Sequence, residues 1–362
     1  MGVYTLRTII PEVPKKQRYW FVRTDGGAHY SDFTMHDYIA IAWDYISIEM
    51  FTTRNADTVK KIILNAEKST PTEDEESDIG SSELAKATTI YNKINRFINE
   101  MSIGDIVLCP SKNSSSISLG KIKSTVYEDS HYAIDYYNGN PDSELNVCPY
   151  YKRRKVEWIK TINRENLDIY LSRALSSQHS VSCLDEHALL INRSLYDMYN
   201  RGETTHLTLR TCRPESITFA ELKDLVDTLD RNLKSTSEAL NIQYNPSALE
   251  VKLSIHSPGL IEIAGSVLML SGAASFLLLA LNHFRHGGKN NAHFKMNFGK
   301  LSIEYSNESE SRGTRDFELD EQRLDIEAIE RLSSLQDKLE IKFPEIPEVD
   351  ESSIPSEDSV DN

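Results

Sequence analysis

Apolar and polar residues fall into two rhythms along this chain. Near the start, Tyr19-Trp20-Phe21-Val22-Arg23 and Tyr38-Ile39-Ala40-Ile41-Ala42-Trp43 are rich in aromatic and β-branched residues, and the turn formers Asp25-Gly26-Gly27 lie between them. They read as two strands. From Leu84 the spacing changes to three and four, through Ala87, Ile90, Tyr91, Ile94, Phe97, Ile98 and Met101, which predicts a helix with one buried stripe. Strand patterns return at Asp105–Cys109, at Ile117–Ile122 and at Arg153–Ile159. Residues 69–82, polar and acidic, read as a surface loop, and Asn138-Gly139-Asn140-Pro141 marks a turn in a tyrosine-rich stretch. Strands enclosing a helix predict a small, mixed, barrel-like domain over residues 15–165.

The second half has its own signals. Residues 166–215 read as a polar helical connector anchored by Leu167, Tyr170, Leu171 and Leu175. Thr218-Phe219-Ala220-Glu221 has the form of a capping box, and Leu222, Leu225, Val226, Leu229 and Leu233 continue it as a helix. Leu249, Val251, Leu253 and Ile255 alternate with polar residues as a half-buried strand. After Ser257-Pro258-Gly259, the run Leu260–Leu281 is apolar but for Glu262. A hairpin is expected around Gly299, and a last helix carries Leu324, Ile329, Leu332, Leu335 and Leu339. The expected fold class is α+β: an N-terminal β-barrel with flanking helices, the helical connector, a small α+β unit over 216–343 with one very apolar helix, and a disordered acidic tail over 344–362.

The apolar run leaves two readings open. Ile263–Leu281 is free of charge for 19 residues, about 28 Å as a helix against the ~30 Å of a hydrocarbon core. That length permits membrane association through 260–281. Gly265, Ser266, Ser271, Gly272 and Ser275 suit close helix packing or homo-oligomerisation instead. Arg285, His286 and Lys289 would hold the C-terminal flank in the cytoplasm, leaving the N-terminal domain outside, where no signal peptide is visible to take it. A cytoplasmic protein, or one attached to the inner membrane by one helix, follows from these two readings.

Composition narrows the class. With 39% hydrophobic and 26% charged residues, the chain is neither collagen-like nor wholly disordered nor a polytopic membrane protein. The four cysteines lie far apart, which fits reduced thiols better than a disulfide framework or zinc ribbon. The net charge of −15 is unevenly spread: residues 304–362 hold 19 acidic and 6 basic side chains, −13 of the total. The acidity therefore does not argue against a nucleic-acid partner for the N-terminal part, and the tail could shield a basic run.

Catalytic signatures are sparse. There is no HExxH, P-loop, GxGxxG or GxSxG. His179, Cys183 and His187 have ligand-like spacing but lack a fourth ligand, so no metal, cofactor or catalytic residue is expected. Glu-x-Lys, half of a restriction-nuclease signature, occurs at Glu221, Glu250 and Glu340. The first and third fall on expected helices, and only Glu250-Val251-Lys252 lies on an expected strand, without an evident partner acid.

The order of several N-terminal pieces resembles a known module. Tyr19–Arg23, Asp32-Phe33, Ile39–Trp43, Ile103–Leu108, Leu119–Ile122 and Arg154–Trp158 are arranged as in the PUA-like and EVE-like modules at the N-terminus of Mrr-type restriction proteins and other prokaryotic defence proteins, with Ala42 where glycine is usual. The resemblance implies a β-barrel with an aromatic pocket for a flipped, plain or modified base of DNA or RNA. In such a pocket Trp20, Trp43 and Trp158 would stack on the base, Arg23 and the run Lys152-Arg153-Arg154-Lys155 would meet phosphates, and Ser111 would donate a hydrogen bond at the edge. Strand tryptophans also fill barrel cores and basic runs also lie on solvated edges, so each residue has a structural alternative. The function expected is non-enzymatic nucleic-acid recognition by a bacterial sensor in antiphage defence. A single-span membrane-associated effector or structural protein and a metal-dependent nuclease of restriction type are the alternatives.

Overall fold

A computed structural model describes residues 6–67, 81–176, 180–254, 259–285, 293–297, 302–306 and 325–344. The expected acidic loop (apart from residues 81–82), His179 and all but the first residue of the expected 344–362 tail lie outside these residues. The chain divides into two units, Lys16–Leu195 and a second made of Met1–Lys15 with Tyr196–Asn362. The first strand, β1 (Leu6–Ile9), belongs to the second unit.

The first unit runs β2 (Tyr19–Val22), α1 (Tyr30–Met35), β3 (Tyr38–Ile41), α2 (Ile48–Thr53), α3 (Ala56–Glu67) and α4 (Ser81–Asn95), the last continued by a π-helical turn over Arg96–Glu100. It goes on with β4 (Ile106–Pro110), β5 (Ser116–Ile122), β6 (Tyr127–Glu128), α5 (Tyr132–Gly139), β7 (Lys152–Asn163), α6 (Ile169–Ala174), β8 (Val181–Cys183) and α7 (Ala188–Leu195). Seven strands form one sheet in the order β3-β7-β5-β4-β2-β8, with β6 also on β7. β2 and β4 are parallel; the other pairs are antiparallel.

The 12-residue β7 curls this sheet into a half-barrel. Its first part, Lys152–Lys155, pairs with β3 and its second, Val156–Asn163, with β5, where the register slips between Leu119 and Gly120. A bulge of this kind bends a strand and raises its twist. Gly120 permits the close approach: a Cβ there would lie 2.4 Å from Val156 Cγ1 and 2.8 Å from the Trp158 ring. Inside pack Trp20, Val22, Phe33, Ile39, Ile41, Ile63, Ile94, Phe97, Val107 and Val156.

In the second unit follow β9 (Met198–Arg201), β10 (Thr204–Thr211), α8 (Phe219–Ala239), β11 (Glu250–Ser254), β12 (Gly259–Ser266), α9 (Gly272–Arg285), β13 (His293–Asn297), β14 (Ser302–Ser306), α10 (Ile326–Lys338) and β15 (Ile341–Lys342). Five strands lie in the order β11-β12-β10-β15, with β9 also on β10, and a separate sheet has the order β1-β14-β13. Because side chains alternate across a strand, Leu207, Leu209, Ile261 and Ile263 share one face of the larger sheet. They join a core with Leu225, Leu229 and Leu233 of α8, Ala273, Ala274 and Leu277 of α9, and Ile329, Leu332 and Leu335 of α10.

Several expectations change here. The expected connector is not one: β8 is an edge of the first sheet beside β2, and β9 and β10 belong to the second sheet. The run 260–281 is not a single helix. Its first part pairs on both sides as β12 and only the later part coils as α9, because a strand between two others and a helix packed on a sheet both demand apolar residues. No helix among the described residues is long and apolar enough to cross a membrane. Glu340 and Lys342 lie beyond the last helix, Glu340 in a left-handed turn (φ 48°) and Lys342 on β15. The capping box at Thr218 and Glu221 forms as expected.

Candidate functional site

Three tryptophans were expected to line one slot; the fold gives them three separate settings. Trp20 on β2 is 0% exposed. Its indole N–H donates to Asp105 Oδ2 at 2.9 Å, a carboxylate that also accepts from Ser102 N and Arg18 N. The Arg18 guanidinium lies 4.3 Å from its ring centre. An indole satisfied in this way inside the core cannot stack on a base, so Trp20 is a core residue. Trp158 on β7 is half-buried and donates to Phe33 O at 3.0 Å. It pairs in register with Gly120, while Ile41, two residues before Trp43, pairs with Lys152. Six residues of strand, roughly 20 Å of extended chain, therefore separate the Trp158 position from the end of β3 that leads to Trp43.

The basic run is also mostly internal. Lys152, Arg153 and Arg154 are buried, so they are not phosphate contacts. Their long stems cross the core and their heads reach backbone oxygens. Arg154 donates to Phe97 O (2.8 Å), Ile98 O (3.1 Å) and Ser124 O (3.0 Å). The first two carbonyls belong to the π-helical turn, whose last acceptors have no partner along the helix. Burial pulls the Arg154 pKa down to about 10, against the pull of Asp105. Arg153 donates to Tyr150 O and Cys148 O and lies over the rings of Tyr132 and Tyr38, at 3.8 and 4.3 Å. Ser111 accepts from Ser116 N at 2.8 Å and closes the β4–β5 turn. Arg23 is half-buried, its N–H bonded to Ser180 O and its guanidinium 5.8 Å from the Phe21 ring.

Beside Arg153 lies a network the sequence does not announce. Asp32 is fully buried on α1, and its carboxylate accepts from Tyr38 Oη, from Cys148 N at 2.7 Å and from His36 Nδ1–H at 2.8 Å. Burial first, and the hydrogen bond to Asp32 second, push the Tyr38 phenol up. Burial raises the Cys148 thiol to about 12 and the Cys109 thiol higher still. Thiols held protonated at neutral pH are poor nucleophiles. This cluster braces α1 against the segment leading into β7. Its hints in the sequence are the Asp32-Phe33 pair and the i,i+4 spacing from Asp32 on α1 to His36, the residue that ends it.

Trp43 stands apart. It lies two residues past the end of β3 in the left-handed region, with φ 66°, a conformation that a bulky residue keeps only where its surroundings hold it. The hold is Lys152, whose Nζ donates to Trp43 O (2.9 Å) and to Asp44 Oδ1 (3.2 Å). The Asp44 carboxylate also accepts from Tyr151 N, and Ile46 N closes the turn onto Trp43 O. The indole is half-buried at the margin of the core. Over it, 5.6 Å from the ring centre, lies Lys93 Nζ of α4. Burial first, and the charge of Arg96 second, lower the Lys93 pKa. Among the described residues no cluster of His, Cys, Asp and Glu is arranged to hold a metal. The arrangement sets one half-buried aromatic ring under one lysine ammonium.

One family model, a domain of unknown function (DUF8426), matches residues 20–185. That span opens in β2 and closes at Asp185, whose carboxylate accepts from Tyr19 N at 2.8 Å and from Arg18 Nε. The match is thus to the sheet from β2 through β8. No curated protein and no solved structure matches the chain.

Proposed function

We propose that the unit Lys16–Leu195 is a non-enzymatic nucleic-acid recognition module, and that Trp43 is the residue on which a plain or modified base stacks. The observation that carries this reading is the strained, clamped setting of Trp43 beneath a half-buried lysine, Lys93. A base that displaces the Lys93 ammonium from over the Trp43 ring would gain a stacking platform, and the displaced ammonium a phosphate to pair with. The order of motifs from Tyr19 to Trp158 supports a PUA-like or EVE-like relationship and, through it, a role as a sensor in prokaryotic antiphage defence. Trp20, Arg153 and Arg154 drop out of the binding set, since their burial commits them to the fold. Trp158, Arg23 and Ser111 lie in other settings, Trp158 against Phe33, Arg23 beside Ser180 and Ser111 in the β4–β5 turn, so Trp43 and Lys93 alone carry the reading.

The test is binding of the full chain to plain and modified oligonucleotides at fixed salt. Trp43→Ala should weaken binding by roughly ten- to a hundredfold, and Trp43→Phe by less, since one stacked base is worth about 1–3 kcal/mol. Lys93→Gln should weaken binding evenly across sequences and flatten the salt dependence by about one counterion. A folded Trp43→Ala protein that binds as well as wild type would remove the proposal.

A further inference from the structure

The Glu250-Val251-Lys252 motif does face an acid on the adjacent strand, Glu262 of β12 in register with Lys252, but that carboxylate is buried against His206 and no cluster among the described residues is arranged to hold a metal; the motif's position in the fold is informative for another reason. β11 is the outermost strand of the five-stranded sheet, and among the described residues it pairs with β12 alone. Residues Glu250 to Lys252 and Leu253 are all exposed, with Val251 at 51% and Leu253 at 46%. An open strand edge carrying half-exposed apolar side chains is a template for another strand.

The sequence of this edge is complementary to itself. If two copies of β11 meet antiparallel about a two-fold axis through Val251, Val251 faces Val251 and Leu249 faces Leu253. Glu250 of each copy then faces Lys252 of the other, on the same side of the sheet. Directly opposed strand residues of opposite charge attract and like charges repel. Moving the axis to Lys252 would set lysine against lysine, so charge selects the register. The apolar side chains Val251 and Leu253 project from the face that carries Ile263 and Ile261, their register partners on β12, so a second copy would prolong the covered apolar face.

We propose that the protein forms a two-fold symmetric dimer by antiparallel pairing of β11 with β11 of a second copy, giving one continuous ten-stranded sheet. The symmetry is that of the commonest soluble oligomers. The proposal does not depend on the base-binding reading, which concerns the other unit.

Sedimentation velocity of the full chain over a range of concentrations tests it, with oligonucleotide affinity measured separately. Wild type should be a dimer. Glu250→Lys and Lys252→Glu should each raise the dimer dissociation constant by roughly tenfold or more, because each reversal creates like-charged pairs at both symmetric positions. The double variant Glu250→Lys with Lys252→Glu should regain the dimer. A monomeric wild type, a dimer unchanged by either single reversal, or a double variant that stays monomeric would each overturn the proposal. The far-ultraviolet circular dichroism of Glu250→Lys should match wild type, since that side chain is exposed and faces Ala264 on β12; Lys252→Glu also faces Glu262 on β12, so Glu250→Lys is the deciding single reversal.

Discussion

The indoles of Trp20 and Trp43 come from similar strand patterns and end in opposite circumstances. Trp20 points into the half-barrel and spends its N–H on Asp105, whereas Trp43 sits past the end of β3, where its carbonyl and not its ring is tied down. Sequence cannot separate them, because a strand residue's environment depends on which face the curled sheet turns inward. Trp20→Phe should therefore lower stability by about 2–3 kcal/mol in denaturant unfolding, from the lost volume and the donor withdrawn from a buried carboxylate. A loss under about 0.5 kcal/mol would contradict the core role. The same logic covers Lys152, Arg153 and Arg154. Three adjacent basic residues read as surface, but their guanidinium and ammonium groups satisfy carbonyls and a carboxylate that only the folded chain brings near.

Among the elements, α8 shows a local signal that survives intact. Thr218 accepts from Glu221 N while the Glu221 carboxylate accepts from Thr218 N, from Arg213 and from Lys338. Those bonds, the Arg213 one first, hold the Glu221 pKa well below the ordinary glutamate value of 4.5. Because the folded pKa is depressed, the stabilisation is complete above pH 4.5 and fades as pH falls towards the folded value. Glu221→Gln should lower the melting temperature at pH 7, and the gap to wild type should narrow below about pH 4. An equal gap at both pH values would refute the assignment. Capping boxes are legible because the partners lie three residues apart. The β12–α9 boundary is not legible, because burial on either side imposes the same apolar composition on strand and helix.

For the whole molecule, the partition at Leu195 and Tyr196 gives each unit its own hydrophobic cluster. Residues 16–195 expressed alone should unfold cooperatively in thermal circular dichroism, as a domain with its own core does. A fragment of 15–165, the boundary the sequence pattern suggests, should be less stable, since it lacks the edge strand β8 and the Asp185 carboxylate that caps Tyr19 N. Comparable melting of the two fragments would argue against that role for β8.

Short-range information was enough for the strands β2 to β5, the helices α4, α8 and α10, the capping box and the α+β class, since each rests on periodicity or on residues within one helical turn. The tertiary structure alone decided which tryptophan is core, that the basic run is buried, that β8 joins the first sheet, and that β1 crosses to pair with β14 nearly three hundred residues away. Those outcomes follow from pairing and curvature between distant segments, and the free energy of a buried charge or ring is set by neighbours that adjacent residues in the sequence do not specify.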